Sequence, residues 1–470
     1  MPQETPQQTL QLEAVVLAAG RGTRMQSDLH KVLHPVAGKP MLHWVLDRAA
    51  ELGALRTHVV VGHQADAVQA ATPHAVEWVL QQEQLGTGHA VLQALPAVDD
   101  DSVVLVLYGD VPMPSFAMLD ACARAAADGS VALVTADFEQ PAQLGRIVRA
   151  DSADGNGDIQ AIVEFADATD AQKAICEINS GIMAVGAKRL RQMLTALCNV
   201  PPTNNNGEYY LTTVIEDAVR DGVPVKGIRA ASEAEVTGVN DRVQLAQVER
   251  AVQQLQAEAL MRSGVTLADP ARLDIRGTVT GGRDSFVDAN VLFEGQVQLG
   301  SNVQIGPGCV IRDSHIGDNV VVHANTMIDG AAIAAHAAVG PFARIRPGTK
   351  LAEGVKIGNF VETKKTSMGK NSKASHLTYL GDATIGAECN IGAGTVTCNY
   401  DGINKHRTDI GDDVFVGTNS TLVAPITLGN ASFVAAGSTL TGDLADQDLG
   451  VGRGKQRNIK GWTRPDRRSK

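Results

Sequence analysis

The C-terminal half of this chain places an aliphatic residue at every sixth position. The beat runs Leu299, Ile305, Ile311, takes a five-residue step to Ile316, and continues through Val322 and Ile328. A second five-residue step leads to Ile333, Val339, Ile345, Leu351 and Ile357, and the beat returns late as Ile410, Val416, Leu422, Leu428, Val434 and Leu440. Glycine often follows the aliphatic, as in Ile305-Gly306, Val339-Gly340 and Ile410-Gly411. Six matches neither the helical period nor that of an alternating strand. It predicts a parallel β-helix of hexapeptides, bent three times per coil of about eighteen residues, with aliphatics stacked inward. The coils are expected from near residue 275 to about 442. Each coil touches only its neighbours, so a loop can project without breaking the stack. The beat breaks at 360–379 and at 397–409, where most of the reactive side chains of this half lie. Projecting loops carrying the chemistry are expected there.

A chain of 470 residues is long enough for two domains, each with its own core. Its net charge of −11 argues against nucleic acid as a partner, because phosphate binding wants a basic face. No stretch approaches the roughly twenty apolar residues of a membrane span. The opening MPQETPQQTLQ has neither the basic start nor the apolar run of a signal peptide, so residues 1–11 are expected to be a polar tail. The six cysteines show no CxxC pairing, which points to reduced thiols in a cytoplasmic protein.

Residues 12–241 alternate short apolar runs with amphipathic segments. Ala14–Ala18, Val59–Val61, Val103–Leu107 and Val131–Thr135 are the runs; Met41–Leu52 and Phe116–Ala127 are segments of the second kind. The pattern predicts an α/β, Rossmann-like domain, a parallel sheet covered on both faces with ligands at the C-terminal strand ends. Residues 242–264 are the expected linker helix, with Leu245, Val248, Val252 and Leu255 on one face and Gly264 as its stop. The coil domain follows over 265–452. Residues 453–470 form a basic tail, either a solvated charge run or a contact with a phosphorylated cofactor.

The first strand runs into LAAGRGTRM, Leu17–Met25. Gly20 and Gly22 permit close backbone approach, and the N–H groups of such a loop can cradle an anion. Arg21, Arg24 and Lys31 add positive charge. The string is neither a Walker loop nor a dinucleotide fingerprint. It resembles the first loop of the sugar-nucleotide pyrophosphorylases. Further strings agree in order: Gln81 before Leu85-Gly86-Thr87-Gly88, Tyr108-Gly109-Asp110 at a strand end, Gly145 in GRI, Glu164 in AIVEF, Asn179 in INSGI, NNNGEYYL over Asn204–Leu211, and Asn240 after Gly238-Val239. Together they resemble the uridyltransferase half of the bifunctional bacterial enzymes of UDP-N-acetylglucosamine synthesis. That reaction joins a sugar 1-phosphate to UTP and releases pyrophosphate, so catalysis is mostly positioning and charge neutralisation. A carboxylate at a strand end, Asp110, suits Mg²⁺; the resemblance adds Asn240 as its partner. It also implies that Leu17, Ala18, Ala19, Gly20, Tyr108 and Gly109 line the uridyl site. Arg24 and Lys31 neutralise phosphate, Gln81, Gly86 and Thr87 read uracil, and Gly145, Glu164 and Asn179 hold the sugar.

The breaks in the coil hold Asn359–Asp382 and Cys398–Arg407. Acyl transfer from a thioester to an amine needs a base, and neutral imidazole suits that task near pH 7. His376 stands beside Lys, Ser, Tyr and Asp in the first of them. The strings SKASHLTYLGD and IGAGTVTCNYDG resemble the hexapeptide-repeat acetyltransferases, most closely the acetyltransferase half of the same bifunctional family. The resemblance implies that Arg346 and Lys364 hold the phosphate of glucosamine-1-phosphate and that His376 is the base. Tyr379 and Asn390 then hold the sugar, with Glu362 near the amine. Ala393, Asn399, Tyr400, Thr418, Ala436 and Arg453 line an acetyl-CoA site; the family pattern has Ser where this chain has Thr418. It further implies a left-handed coil, a homotrimer, and a product that feeds cell-envelope polysaccharide precursors, namely N-acetylglucosamine-1-phosphate converted to its UDP derivative. Two rival readings are a nucleotidyltransferase whose β-helix only oligomerises or regulates, and an assembly subunit that has lost its chemistry. The loop around Lys364, His376 and Tyr379 argues against the first, and the intact first loop and Asp110 argue against the second.

Overall fold

A computed structural model describes residues 10–141, 144–150, 157–163, 165, 168–202 and 207–464. The chain divides into two compact units, 1–252 and 253–470, and the division falls inside the helix Arg242–Arg262.

In the first unit the sheet runs in the order Val225–Arg229, Val131–Asp137, Glu177–Gly186, Val103–Tyr108, Leu12–Ala18, Arg56–Val61, Glu77–Leu80. The apolar runs of the sequence are its central strands. Alternate residues of one strand feed opposite cores: Ala14 and Val16 pack on one face and Val15 on the other, as do Leu105 and Val104. Burial on both faces is why these strands read as continuous apolar runs. The amphipathic segments form helices at Met41–Glu51 and Phe116–Ala127, the latter capped by Ser115 Oγ accepting from Met118 N–H at 3.3 Å. One expectation is corrected. The sheet is mixed, because Glu177–Gly186 lies between two strands and runs antiparallel to both. Its centre is irregular, with a register shift between Asn179 and Met183, and this bulge obscures the strand in the sequence.

The second unit is a left-handed parallel β-helix whose inward residues form three columns. One column runs Phe293, Ile311, Ile328, Ile345, Thr363, Leu380. A second runs Leu299, Ile316, Ile333, Leu351, Met368, Ile385, Ile410. The third runs Val322, Val339, Ile357, Ala374, Ile391, Val416, Val434. The first expected break is therefore no loop: Thr363, Met368, Ala374 and Leu380 keep the beat inside the coil. Thr363 is wholly buried, and its hydroxyl meets that of Thr349 at 3.1 Å. A satisfied hydroxyl of this size replaces an aliphatic without leaving a buried polar group unpaired. The second break is a true insertion, with 25 residues from Thr397 to Leu422 against 17 from Thr363 to Leu380.

The connecting helix spans Arg242–Arg262, as its period predicts. Leu255, however, is 57% exposed. Val248 and Val252 bury against the first unit's residues, whereas Ala257 and Leu260 bury into the coil core. The buried face thus rotates along the helix and leaves Leu255 outside. Buried Gln253 completes this end: its Nε2 donates to Ile275 O at 2.8 Å and its Oε1 accepts from Ile275 N–H at 2.6 Å. This pairing satisfies backbone at the start of the solenoid, which needs a cap.

Candidate functional site

The strand ends of the first unit converge on a cavity of about 270 Å³. Leu17, Ala18, Ala19, Gly20, Lys31, Gln81, Gly86, Thr87, Tyr108 and Asp110 line it, joined by Val32, Gln84, Ala90 and Glu208. These four escaped the sequence reading, although Glu208 lies within NNNGEYYL. The reason is visible in the backbone. Gly88 N–H donates to Tyr209 O at 2.8 Å and Tyr209 N–H to Leu85 O at 2.7 Å, so the two strings clamp together. Gly86 has φ +106°, and a Cβ there would lie 2.6 Å from Tyr209 O. Only glycine fits that turn.

Lys31 joins the groups expected at the reacting phosphate. Its ammonium pairs with Asp110 Oδ2 and donates to Asn240 Oδ1 at 3.2 Å. Asn240 is held in place, its N–H donating to Gln244 Oε1 at 2.7 Å and the preceding Val239 N–H to Asp110 O at 2.9 Å. Gly22 abuts this cluster, since a Cβ on it would lie 2.6 Å from Lys31 Cβ. Two hard oxygens thus meet at one point where a cation already rests. That donor pair fits Mg²⁺, which takes few protein ligands and leaves its remaining positions to phosphate and water. Among the described residues no cluster of three or more His, Cys, Asp or Glu is arranged for a metal.

The other expected residues are less gathered. Arg24 is exposed in the turn Thr23–Met25. Gly109 N–H donates to Leu17 O at 2.9 Å, beneath the cavity. Gly145 O accepts from Asn179 N–H at 3.1 Å, and Asn179 Oδ1 accepts from Gly181 N–H at 2.8 Å; neither lines the cavity, but Gly181 lies against Tyr108, which does. Glu164 lies outside the described residues, as does Asn204.

In the second unit the expected residues His376, Ala393, Thr418 and Ala436, joined by Asn359, follow the coil's repeat. Asn359, His376, Ala393, Thr418 and Ala436 each stand two positions past an inward residue of one column: Ile357, Ala374, Ile391, Val416 and Val434. They therefore descend one corner of the coil at the roughly 4.8 Å spacing of adjacent strands. Arg453 closes the series, its guanidinium donating to Ala436 O at 2.6 Å. His376 is exposed, and the loop expected around it is replaced by the coil corner itself. Its Nδ1 lies 2.7 Å from Asn359 Oδ1. A carboxamide oxygen can only accept, so Nδ1 carries the hydrogen and Nε2 keeps its lone pair. Asn359 was not singled out in the sequence; the 17-residue register that pairs it with His376 is the signal. The next residue, Leu377, has φ +50°, as Phe342, Phe360 and Asn419 have φ of +55° to +57° at the same corner of other coils, so this is the turn geometry of the coil itself.

Beside this corner, Arg346 pairs with Glu362 at 2.8 Å, and Glu362 stands in register with Tyr379. Lys364 is one strand away from Gly381. The corner Asn390 lies in register with Lys373 and Phe415. Asn399 is only 5% exposed and its amide donates to Asp382, so it anchors the inserted loop. Tyr400 is exposed, with Lys405 Nζ 4.0 Å from its ring centre. His406 bonds Asp401 at 2.7 Å and, with two backbone N–H donors, holds that carboxyl well below its usual range.

Comparison with known proteins agrees with a two-part chain. The model of the MobA-like NTP transferase domain matches residues 14–162. The GMPPB C-terminal domain matches 275–361 and the hexapeptide repeat of succinyl-transferase matches 407–442. The bifunctional protein GlmU of Marinobacter nauticus is 54% identical over 97% of this chain and 99% of its own length. The chain belongs to the bifunctional GlmU family. GlmU of Alkalilimnicola ehrlichii is 52% identical over 97% of both chains, and that of Pseudoalteromonas atlantica 49% identical over 96% of this chain and 98% of its own.

A GlmU chain thus carries a nucleotidyltransferase unit and a hexapeptide acetyltransferase unit. Among the described residues no helix is long and apolar enough to cross a membrane.

A titration prediction follows from the residue next to Lys31. His30, 3% exposed, precedes Lys31; burial, then the charges of His63 and Lys31, hold its imidazole down at about 4 against an ordinary 6.5. The fold therefore favours the neutral ring. Its contribution is complete above pH 6.5 and disappears as pH falls toward 4, by up to about 3 kcal/mol. Urea unfolding of the first unit between pH 7 and 4 should become steeply easier below 6.5. His30→Asn, which has no proton to gain, should flatten that limb; an unchanged slope contradicts the assignment.

Proposed function

We propose that the coil unit, residues 265–452, acetylates glucosamine-1-phosphate with acetyl-CoA and that residues 12–241 then couple the product to UTP. In the first step His376 Nε2 takes a proton from the sugar amine as its nitrogen attacks the thioester carbonyl. The C–S bond breaks, CoA leaves as the thiolate and is reprotonated, and the amide remains. Asn359 fixes the tautomer this requires. Arg346 and Lys364 are the cations for the sugar phosphate, and Tyr379, Asn390 and Glu362 border the sugar. The corner from Ala393 to Arg453 receives acetyl-CoA, with Tyr400 and Asn399 on the inserted loop.

In the second step an oxygen of the N-acetylglucosamine-1-phosphate attacks the α-phosphorus of UTP, and the bond to pyrophosphate breaks. Asp110 and Asn240 would hold Mg²⁺, which when bound would neutralise phosphate charge. Lys31, and Arg24 from the loop, stabilise charge that grows in the transition state. Gln81, Gly86 and Thr87 face the base; Gly145, Asn179 and Glu164 take the sugar. The observation that carries this reading is the meeting of Lys31 with Asp110 and Asn240 beneath the glycine loop.

We also propose that the coil assembles as a trimer. Phe415 and Phe433 stack at 4.6 Å while remaining 41% and 45% exposed, an apolar ladder that assembly would cover. The reaction is placed in the cytoplasm, where UTP and acetyl-CoA are made. Sedimentation of Phe415→Asp/Phe433→Asp should give a smaller species than the parent; identical sedimentation removes this ladder from the interface.

A further inference from the structure

We propose that His89 and Gln93 fix the face that Gln81 presents to the nucleobase, and thereby make the pocket select uracil over cytosine. The inference rests on the reading above, in which the cavity takes UTP with its base against Gln81. Gln81 is 2% exposed and lines that cavity. Its Nε2 lies 3.2 Å from Gly86 O and 3.0 Å from His89 Nδ1. A backbone carbonyl can only accept, so the NH₂ end of the amide, not the oxygen, faces the loop. That group has two hydrogens. One goes to Gly86 O, and the other needs a lone pair on His89 Nδ1.

The tautomer of His89 is then settled: its hydrogen sits on Nε2. The structure sets Gln93 Nε2 3.2 Å from that Nε2. Two N–H groups cannot bond, so the Gln93 carboxamide, whose two ends differ in little but their hydrogens, must be turned end for end to bring Oε1 to the ring. The polarity is consistent from end to end. Gln93 accepts from His89, His89 accepts from Gln81, and Gln81 donates to Gly86. His89 and Gln93 stand four residues apart on the helix Thr87–Ala94, which puts them on one face. The His89 ring has a neighbour in Tyr209, with centroids 6.5 Å apart.

With both amide hydrogens committed, Oε1 is what Gln81 has left to offer a base. Uracil presents an N3–H donor on its pairing edge, and cytosine presents an N3 lone pair. An acceptor welcomes the first and opposes the second. A glutamine free to turn could serve either base, because turning exchanges its oxygen and nitrogen. Turning here would set Oε1 against two acceptors, Gly86 O and His89 Nδ1. His89 is therefore a positioning residue for specificity, and the relay H-x-x-x-Q after LGTG is its sequence mark.

The test compares kcat/KM for UTP and CTP, with N-acetylglucosamine-1-phosphate as acceptor, in the full chain. Acetyl transfer on the same samples reports whether the protein is otherwise intact. The parent should prefer UTP strongly. His89→Leu should lower the UTP/CTP ratio by roughly tenfold or more, and His89→Asn, whose Oδ1 can replace the Nδ1 acceptor, should restore most of it. Gln93 offers a milder route should His89→Leu not fold. Gln93→Glu accepts from Nε2–H and should keep the ratio, whereas Gln93→Lys can only donate, forces the other tautomer and should lower it. Equal loss with both nucleotides in His89→Leu, or Gln93→Glu and Gln93→Lys with the same ratio, overturns the relay. Gln81→Leu separates the two levels of the argument. If it leaves the ratio of the parent unchanged, the base does not lie against Gln81 and the underlying reading fails, and the relay with it.

Discussion

Asp110→Asn should abolish most uridyl transfer while acetyl transfer continues at the parental rate. The substitution keeps size and shape but removes the one carboxylate in the Lys31–Asp110–Asn240 cluster. Two consequences add. A neutral amide holds Mg²⁺ more weakly than the carboxylate it replaces, and Lys31 loses the anion that positions its ammonium. Removal of one group that stabilises transition-state charge costs about 10²–10³ in rate, and a fall in kcat at least that large is expected. Raised Mg²⁺ should recover part of it. The acetyl corner belongs to the other unit, so CoA release from acetyl-CoA and glucosamine-1-phosphate is the internal control. Parallel loss of both activities would mean that the two sites are not separate.

His376→Ala should produce the mirror image. Among the described residues of this corner, its imidazole is the candidate base whose lone pair is fixed by a partner, Asn359 at 2.7 Å. General-base removal costs typically 10²–10⁴, so CoA release should fall by about that factor. Uridyl transfer from preformed N-acetylglucosamine-1-phosphate should not change. A variant that acetylates near the parental rate would exclude His376 as the base, and with it the reading of this corner as an acetyl site.

Much of this molecule was legible because its periods are strict. The six-residue beat named the β-helix from residues such as Ile305, Val322 and Ile345, and the strand runs named the α/β half. The errors share one physical origin: tertiary contacts replaced what the pattern measures. Thr363 and Ala374 kept the beat with side chains that a search for aliphatics passes over, so a regular coil looked like a loop. The antiparallel strand Glu177–Gly186 was hidden by its bulge and its Asn-Ser-Gly centre. Leu255 fitted one helix face, but the packing partner of that helix changes at Gln253. At the sites, short strings located Lys31, Asp110 and His376. The supporting residues, Asn359 on His376, Gln244 on Asn240 and Gln93 on His89, are ordinary polar residues locally, and only coil register or helix spacing brings them into contact.

The central claim is that one chain holds two consecutive enzymes. Purified protein given glucosamine-1-phosphate, acetyl-CoA, UTP and Mg²⁺, with CoA and pyrophosphate followed separately, tests it most directly. The account predicts release of both, with pyrophosphate requiring acetyl-CoA unless N-acetylglucosamine-1-phosphate is supplied. Pyrophosphate from the preformed acetylated sugar with no release of CoA would contradict it and leave the β-helix as a scaffold.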